Sequence, residues 1–283
     1  YGTLMSSKTN TTNQVEVQRS GRVVSGSASV IFGSPTVTIL NSINVTDTNL
    51  PGTNWPFSAS GSQVYSQTMN CANVTFNGAG AGSKTVNNTA VITQTGQNDP
   101  AEVLVNCYRL TVAKDAAASY TTTYTWEITK TVTPAVINMF DGDTQPLSYT
   151  VSVTRTGVNN GSFLVGGKIT VTNPAPMVAT VSSVSDQLST GANGAVSCVG
   201  VQTVPANGQL VCTYAATPSE LFTGSNTATA VQQVSVGVTR SYTGSAPVNF
   251  GAAVVTSINP TVTVTDTNQA GSQSFSNSGQ WSY

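Results

Sequence analysis

Along most of the chain, branched or aromatic residues alternate with small polar ones. Ser148 to Thr154 reads Ser-Tyr-Thr-Val-Ser-Val-Thr, Lys168 to Thr172 reads Lys-Ile-Thr-Val-Thr, and Thr227 to Val231 and Val234 to Val238 follow the same rule. A period of two places every second side chain on one face, which is the pattern of a half-buried strand. Helical periodicity is almost absent. Between the alternating runs stand Asp141-Gly142-Asp143, Asn159-Asn160-Gly161, Asn173-Pro174, Asn193-Gly194 and Asn207-Gly208, all residue types that favour turns. Short strands punctuated in this way predict an all-β chain of tandem, antiparallel, immunoglobulin-like β-sandwiches.

The pattern also repeats at long range. Gly26-Ser27-Ala28-Ser29-Val30-Ile31-Phe32-Gly33 returns as Gly244-Ser245-Ala246-Pro247-Val248-Asn249-Phe250-Gly251, a spacing of 244 − 26 = 218 residues. Val45-Thr46-Asp47-Thr48-Asn49 returns as Val264-Thr265-Asp266-Thr267-Asn268, and Phe57-Ser58-Ala59-Ser60-Gly61 as Phe275-Ser276-Asn277-Ser278-Gly279. One period holds about two sandwiches. The expected organisation is residues 1–33 as the end of a sandwich, 34–111 as a sandwich, 112–124 as a linker, 125–251 as a second sandwich, and 252–283 as an incomplete one. The halves at the two ends are complementary in kind, and unpaired strand edges pair with other chains. This predicts a head-to-tail homopolymer joined by strand complementation, with Val15, Val17, Val30 and Phe32 on the donor side. Val262, Val264, Phe275 and Trp281 stand on the receiving side. A window cut from a longer tandem-repeat stalk or adhesin is the alternative.

Composition narrows the function. Charged residues make up 7% of the 283 residues and the net charge is −1, against about 25% charged residues in ordinary soluble chains. There is no field here for nucleic acid, and no apolar run approaches the roughly 20 residues of a membrane span. The four cysteines fall as two local pairs, Cys71 with Cys107 and Cys198 with Cys212. In so polar a chain, disulfides and an extracellular or cell-surface location are favoured over four buried thiols.

Ile128-Thr129-Lys130-Thr131-Val132, Lys168-Ile169-Thr170-Val171-Thr172-Asn173-Pro174, Cys212-Thr213-Tyr214 and Ser225-Asn226-Thr227-Ala228-Thr229 resemble blocks of the conserved-repeat sandwich domains of bacterial surface and fimbrial proteins, the domain of unknown function eleven and its relatives. The resemblance covers residues 125–251 well and 34–110 more loosely. It implies stalks, adhesins and fimbriae, without catalysis. Fimbrial sandwiches also imply a self-formed Lys–Asn amide, for which Lys130, Asn226 and nearby Glu127 are the candidates.

Other chemistry is sparse. With no histidine, Ser-His-Asp and Cys-His nucleophile systems and histidine-ligated metals are all excluded. The eleven carboxylates are scattered, no cofactor is called for, and the reading is non-enzymatic. Asp141 and Asp143 read as a turn before they read as calcium ligands. Asp47 and Asp266 read as side chains capping their own backbone. Trp55, Trp126 and Trp281 read as packing residues more than as a sugar-binding platform. Asn10, Asn44, Asn73, Asn87 and Asn160 are Asn-x-Ser/Thr acceptors, so covalent glycans are expected on some of them.

Overall fold

A computed structural model describes residues 11–33, 39–199 and 202–283. The chain divides into unit 1, Tyr1–Met69 with Thr85–Val103, and unit 2, Asn70–Lys84 with Leu104–Tyr283. The described residues are strands and turns, with one short 3-10 turn at Phe250–Ala252 and no α-helix.

In unit 1, β1 (Thr11–Arg19) and β2 (Arg22–Val30) form a hairpin in register from Thr11↔Val30 to Arg19↔Arg22. Its two-residue loop, Ser20-Gly21, has φ of 50° and 78°, the backbone twist that suits a tight hairpin. Among the described residues the two strands pair only with each other, and Val15 and Val17 are 62% and 60% exposed. A four-stranded sheet follows, in the order β4-β3-β5-β6, from β3 (Ile43–Asp47), β4 (Trp55–Phe57), β5 (Ala81–Ile92) and β6 (Asn98–Tyr108). Within it β3 is flanked on both sides, by β4 through Ile43↔Phe57 and by β5 through Asp47↔Ala90.

Unit 2 is built on a long ribbon. Its strands are β7 (Thr111–Lys114), β8 (Ala117–Thr133), β9 (Ser148–Thr172), β10 (Ala179–Leu188), β11 (Asn193–Cys198), β12 (Thr203–Val204), β13 (Gln209–Ala216), β14 (Thr223–Ser235), β15 (Val238–Asn249), β16 (Val254–Ile258), β17 (Val262–Asp266), β18 (Gln269–Phe275) and β19 (Gly279–Ser282). The ribbon is β8 against β9, paired from Ala117↔Gly166 to Thr133↔Ser148. Its β9 carries one core at each end. At the C-terminal end Val165, Ile169 and Val171 join Leu210 and Cys212 of β13, Val181 and Leu188 of β10, Ala228 and Ala230 of β14, and Val248 of β15. Strands paired through β9 and β13 thus face strands paired through β10, β14 and β15, and the sheet closes as two layers of a sandwich. The strictness of the pattern is clearest in β13, where Leu210, Cys212, Tyr214 and Ala216 are buried and Gln209, Val211, Thr213 and Ala215 are exposed.

At the N-terminal end of β9, Val151 and Val153 pack with Val264 and Phe275, flanked by Trp126, Val262, Trp281 and Tyr283. Two expectations are corrected here. Residues 112–124 are not a linker, because they are β7 and the start of β8. The boundary at residue 125 also fails: the second half of β8 and the first half of β9 serve the C-terminal core, since the ribbon is long enough to span both. Val262, Val264, Phe275 and Trp281 are occupied by the chain's own Val151 and Val153. The last strand, β19, is satisfied by β9 through Gly279↔Val153 and Trp281↔Val151. Among the described residues β17 and β18 pair only with each other.

Two disulfides join Cys71 to Cys107 and Cys198 to Cys212. The second closes a 14-residue loop between facing positions of β11 and β13, a constraint on the unfolded chain of about 3 kcal/mol. Among the described residues no helix is long and apolar enough to cross a membrane.

Candidate functional site: three related polar centres

The inward face of the unit 2 sandwich is interrupted by polar residues at positions where alternation demands apolar ones. Lys114 follows Leu110 and Val112 and precedes Ala116, Asp186 lies between Val184 and Leu188, and Asn226 precedes Ala228 and Ala230. Lys114 Nζ lies 2.5 Å from Asp186 Oδ1, with both side chains fully buried. The same nitrogen is 3.0 Å from the centre of the Tyr214 ring, whose hydroxyl donates to the Asp115 carbonyl at 2.7 Å. Asn226 is fully buried, and neither atom of its amide has a hydrogen-bond partner. Asp186 Oδ2 also has none. Burial holds the Lys114 ammonium below the usual lysine range, against the pull of Asp186. Burial pushes the Tyr214 hydroxyl up to about 12, with the Asn226 amide working in the opposite direction. Gly194 faces Asp186 across β10 and β11, and a Cβ there would overlap the carboxylate. The site therefore requires glycine at that position.

A second centre lies beside the C-terminal core. Lys130 Nζ is 2.5 Å from Asp266 Oδ2, the lysine 36% and the aspartate 7% exposed. Tyr149 and Tyr283 stack at 5.5 Å, and the Lys130 nitrogen lies 4.5 Å from the Tyr149 ring centre. The Tyr283 hydroxyl is buried without a hydrogen-bond partner. Lys130 first, then the neighbouring Tyr283 hydroxyl and the Asn268 N–H, hold the Asp266 carboxyl down to about 2, and Asp266 in turn raises Lys130.

A third centre, in unit 1, repeats the second in part. Asp47 Oδ2 accepts from Asn88 Nδ2 at 3.1 Å, and the same amide donates to the Tyr65 hydroxyl at 2.6 Å. Burial raises the Asp47 pKa, but the Asn49 N–H, Tyr65 and Asn88 outweigh it and leave the carboxyl below its ordinary value. Asp47 and Asp266 each accept from the N–H two residues on, at 2.9 and 3.0 Å, so both cap their own backbone as the sequence predicts. Ile43↔Phe57 and Val262↔Phe275 are equivalent pairs, and Tyr65 corresponds to Tyr283.

The sequence reading had placed Lys130, Asn226 and Glu127 together, and the structure does not. Lys130 belongs to the C-terminal core with Asp266, Asn226 belongs to the sandwich core, and Glu127 is exposed. Asn226 instead shares the inward face with Asp186, which pairs with Lys114 beneath the Tyr214 ring. Their signal in the sequence was a charged or amide side chain on the apolar beat of three separate strands.

Asp141 and Asp143 form a turn, with the Asp143 carboxylate accepting from the Phe140 N–H at 3.0 Å. Among the described residues no group of His, Cys, Asp and Glu is gathered for a metal ion. Trp126 and Trp281 flank the C-terminal core, and Trp55 lies 5.7 Å from the Tyr65 ring. Of the glycan acceptors, Asn73 and Asn87 are exposed, Asn44 is half-buried in β3, and Asn160 is exposed but its carbonyl accepts from Thr122 at 2.8 Å. Asn10 lies outside the described residues.

The Lys130–Asp266 pair gives a pH prediction. A carboxyl held near 2, against 3.8 in the unfolded chain, contributes stability that is complete above pH 3.8 and lost as pH falls through about 2. Amide exchange in β17 and β18 is therefore expected to rise between pH 4 and pH 2 more in the wild type than in Asp266→Asn. Equal acid sensitivity of the two proteins would count against the pair.

A scan against protein-family models matched no family, and searches of curated proteins and of solved structures found no match.

Proposed function

We propose that this chain is a structural, non-enzymatic element of an extracellular filament, built from tandem immunoglobulin-like sandwiches and assembled head to tail by β-strand complementation. The observation that carries the reading is the edge of β17. Its counterpart β3 has two neighbours, β4 and β5, whereas among the described residues β17 has only β18. A β5-type strand from another repeat would fill that edge and place an Asn88 against Asp266 and the buried Tyr283 hydroxyl, as Asn88 sits against Asp47 and Tyr65. This moves the expected donor from the hairpin of Val15, Val17, Val30 and Phe32 to β5. The hairpin, as the counterpart of β14 and β15, is of the kind that docks on a β10-type edge.

Between them, the two incomplete centres hold one full set: Lys130, an Asp–Tyr pair, and Asn88. Strand exchange between equivalent edges leaves the ladder bonds unchanged in number and brings Asn88 from Asp47 and Tyr65 to the centre that holds the lysine. An end-to-end exchange of this kind does not close, so it propagates as a fibre. The low charge and the two disulfides fit an oxidising, extracellular setting. Glycans on exposed asparagines such as Asn73 and Asn87 would hydrate its surface.

The 218-residue repeat supports a second reading with the same contacts, in which the complementing strand comes from further along one tandem-repeat polypeptide. Denaturing mass measurement of the native material separates the two, since separate subunits have the 29.1 kDa of this chain plus any glycan.

The test of the pairing follows from its register. Val45↔Ile92 and Thr46↔Val91 in unit 1 become Val264↔Ile92 and Thr265↔Val91 between repeats. Purified Thr265→Cys/Val91→Cys protein is expected to give a ladder of disulfide-linked multimers on a non-reducing gel, with filaments by electron microscopy. Monomers alone, under conditions where the wild type assembles, would rule out this edge.

A further inference from the structure

The buried centre of the unit 2 sandwich contains one more polar group than an ion pair can satisfy. Lys114 and Asp186 are paired at 2.5 Å with no solvent exposure, and removing two charges from water is costly even when they pair. Beside them, Asn226 is fully buried with both amide atoms lacking partners, and one oxygen of Asp186 is likewise unpaired. Buried amides without partners are rare because each costs its full desolvation penalty. On the sheet, Asp186 faces Ala228 and Leu188 faces Asn226. Asp186 and Asn226 are therefore diagonal neighbours on the same inward face. Lys114, from β7 in the opposite layer, meets Asp186 across the core, with the Tyr214 ring covering its nitrogen.

We propose that Lys114 and Asn226 condense spontaneously to a covalent amide, with Asp186 carrying the proton. The ammonium first gives a proton to Asp186, because in apolar surroundings a neutral amine and a neutral acid replace the ion pair. The protonated carboxyl donates a hydrogen bond to Asn226 Oδ1 and makes Cγ more electrophilic, while the Tyr214 ring and the apolar walls exclude water that would compete. The free pair on Lys114 Nζ forms a bond to Asn226 Cγ. The C–Nδ2 bond then breaks, and the departing nitrogen takes the second proton from Nζ, relayed by Asp186, to leave as ammonia. Lysine keeps a single N–H, Asp186 keeps its proton, and no buried charge remains. No oxidant or cofactor is consumed.

The product ties β7, at the start of the sandwich, to β14, near its end. Unlike a disulfide it resists reduction, and it goes beyond the assembly reading without depending on it. Asn268 reaches Asp266 through its backbone N–H, but among the described residues no asparagine side chain bonds Lys130 or Asp266, so they supply an internal contrast: the chain by itself forms the amide only at the sandwich centre.

Peptide mapping of the reduced, digested protein by mass spectrometry tests this directly. The expected result is one branched peptide containing Lys114 and Asn226, lighter than the sum of its two parts by one ammonia, in nearly all molecules. It should be absent in Asn226→Ala and lost or reduced at least tenfold in Asp186→Asn. If the wild-type protein yields Lys114 and Asn226 only in separate linear peptides, the proposal is overturned. Loss of ammonia that maps to a cyclised asparagine elsewhere overturns it as well. The wild-type result decides the matter even if a variant fails to fold.

Discussion

Replacing Ile169 with alanine is expected to destabilise the unit 2 sandwich by about 2–5 kcal/mol, the range for truncating a fully buried aliphatic side chain. Ile169 is completely buried in β9, with Cys212 of β13 and Lys114 of β7 at facing positions of the sheet. It lies under the layer formed by β10, β14 and β15, so the cavity has little freedom to collapse. Chemical denaturation followed by tryptophan fluorescence would report mainly the C-terminal core, where Trp126 and Trp281 reside. Far-ultraviolet circular dichroism is therefore the appropriate measurement. A shift of less than about 1 kcal/mol would mean that the two layers are not held by this core.

Phe275→Ala is expected to cost about 3–5 kcal/mol by the same mechanism, but locally. The C-terminal core has four buried residues, Val151, Val153, Val264 and Phe275, and the phenyl ring lies directly against Gly279. Without the ring, β17, β18 and β19 lose their main apolar anchor, while the sandwich core at the other end of β9 keeps all of its contacts. Hydrogen exchange should therefore rise sharply at the amides of β19 that pair with Val151 and Val153 and stay slow in β13 and β14. Loss of protection throughout unit 2 would show instead that the two cores unfold as one.

These variants act on two cores that share a single ribbon, an arrangement only partly legible in the sequence. The alternation in residues 148–154 and 168–172 identifies strands correctly, but two short strands with an Asn-Asn-Gly between them read as a break. In the structure they are one strand, Ser148–Thr172, and Asn159 and Asn160 stay paired with Thr123 and Thr122 of β8. A turn signal is a local preference, and a long antiparallel partner overrides it. The reading of 112–124 as a linker failed for a related reason. Its small residues are paired in the sheet, Ala117 with Gly166 and Ala118 with Val165, and composition alone cannot distinguish this from a loose connector.

The polar centres show the same division. The Asp47 and Asp266 caps were legible because a side chain that bonds the N–H two residues on involves no other part of the chain. The Lys114–Asp186 pair spans 72 residues, and no local rule selects that partner over Asp115 or Asp266. The sequence did hold a trace of it, a polar residue on the apolar beat of each strand.

What the sequence by itself determined is the all-β character, the 218-residue repeat and the cysteine partners, because alternation, self-similarity and close spacing are properties of neighbours along the chain. The tertiary structure alone decided that β9 serves two cores, that β17 pairs with β18 but not with a β5-type strand among the described residues, and that Lys114 pairs with Asp186 beside Asn226 on one inward face. A period of two fixes which face a side chain takes but not which strand lies opposite it, and that choice is made only when the layers pack.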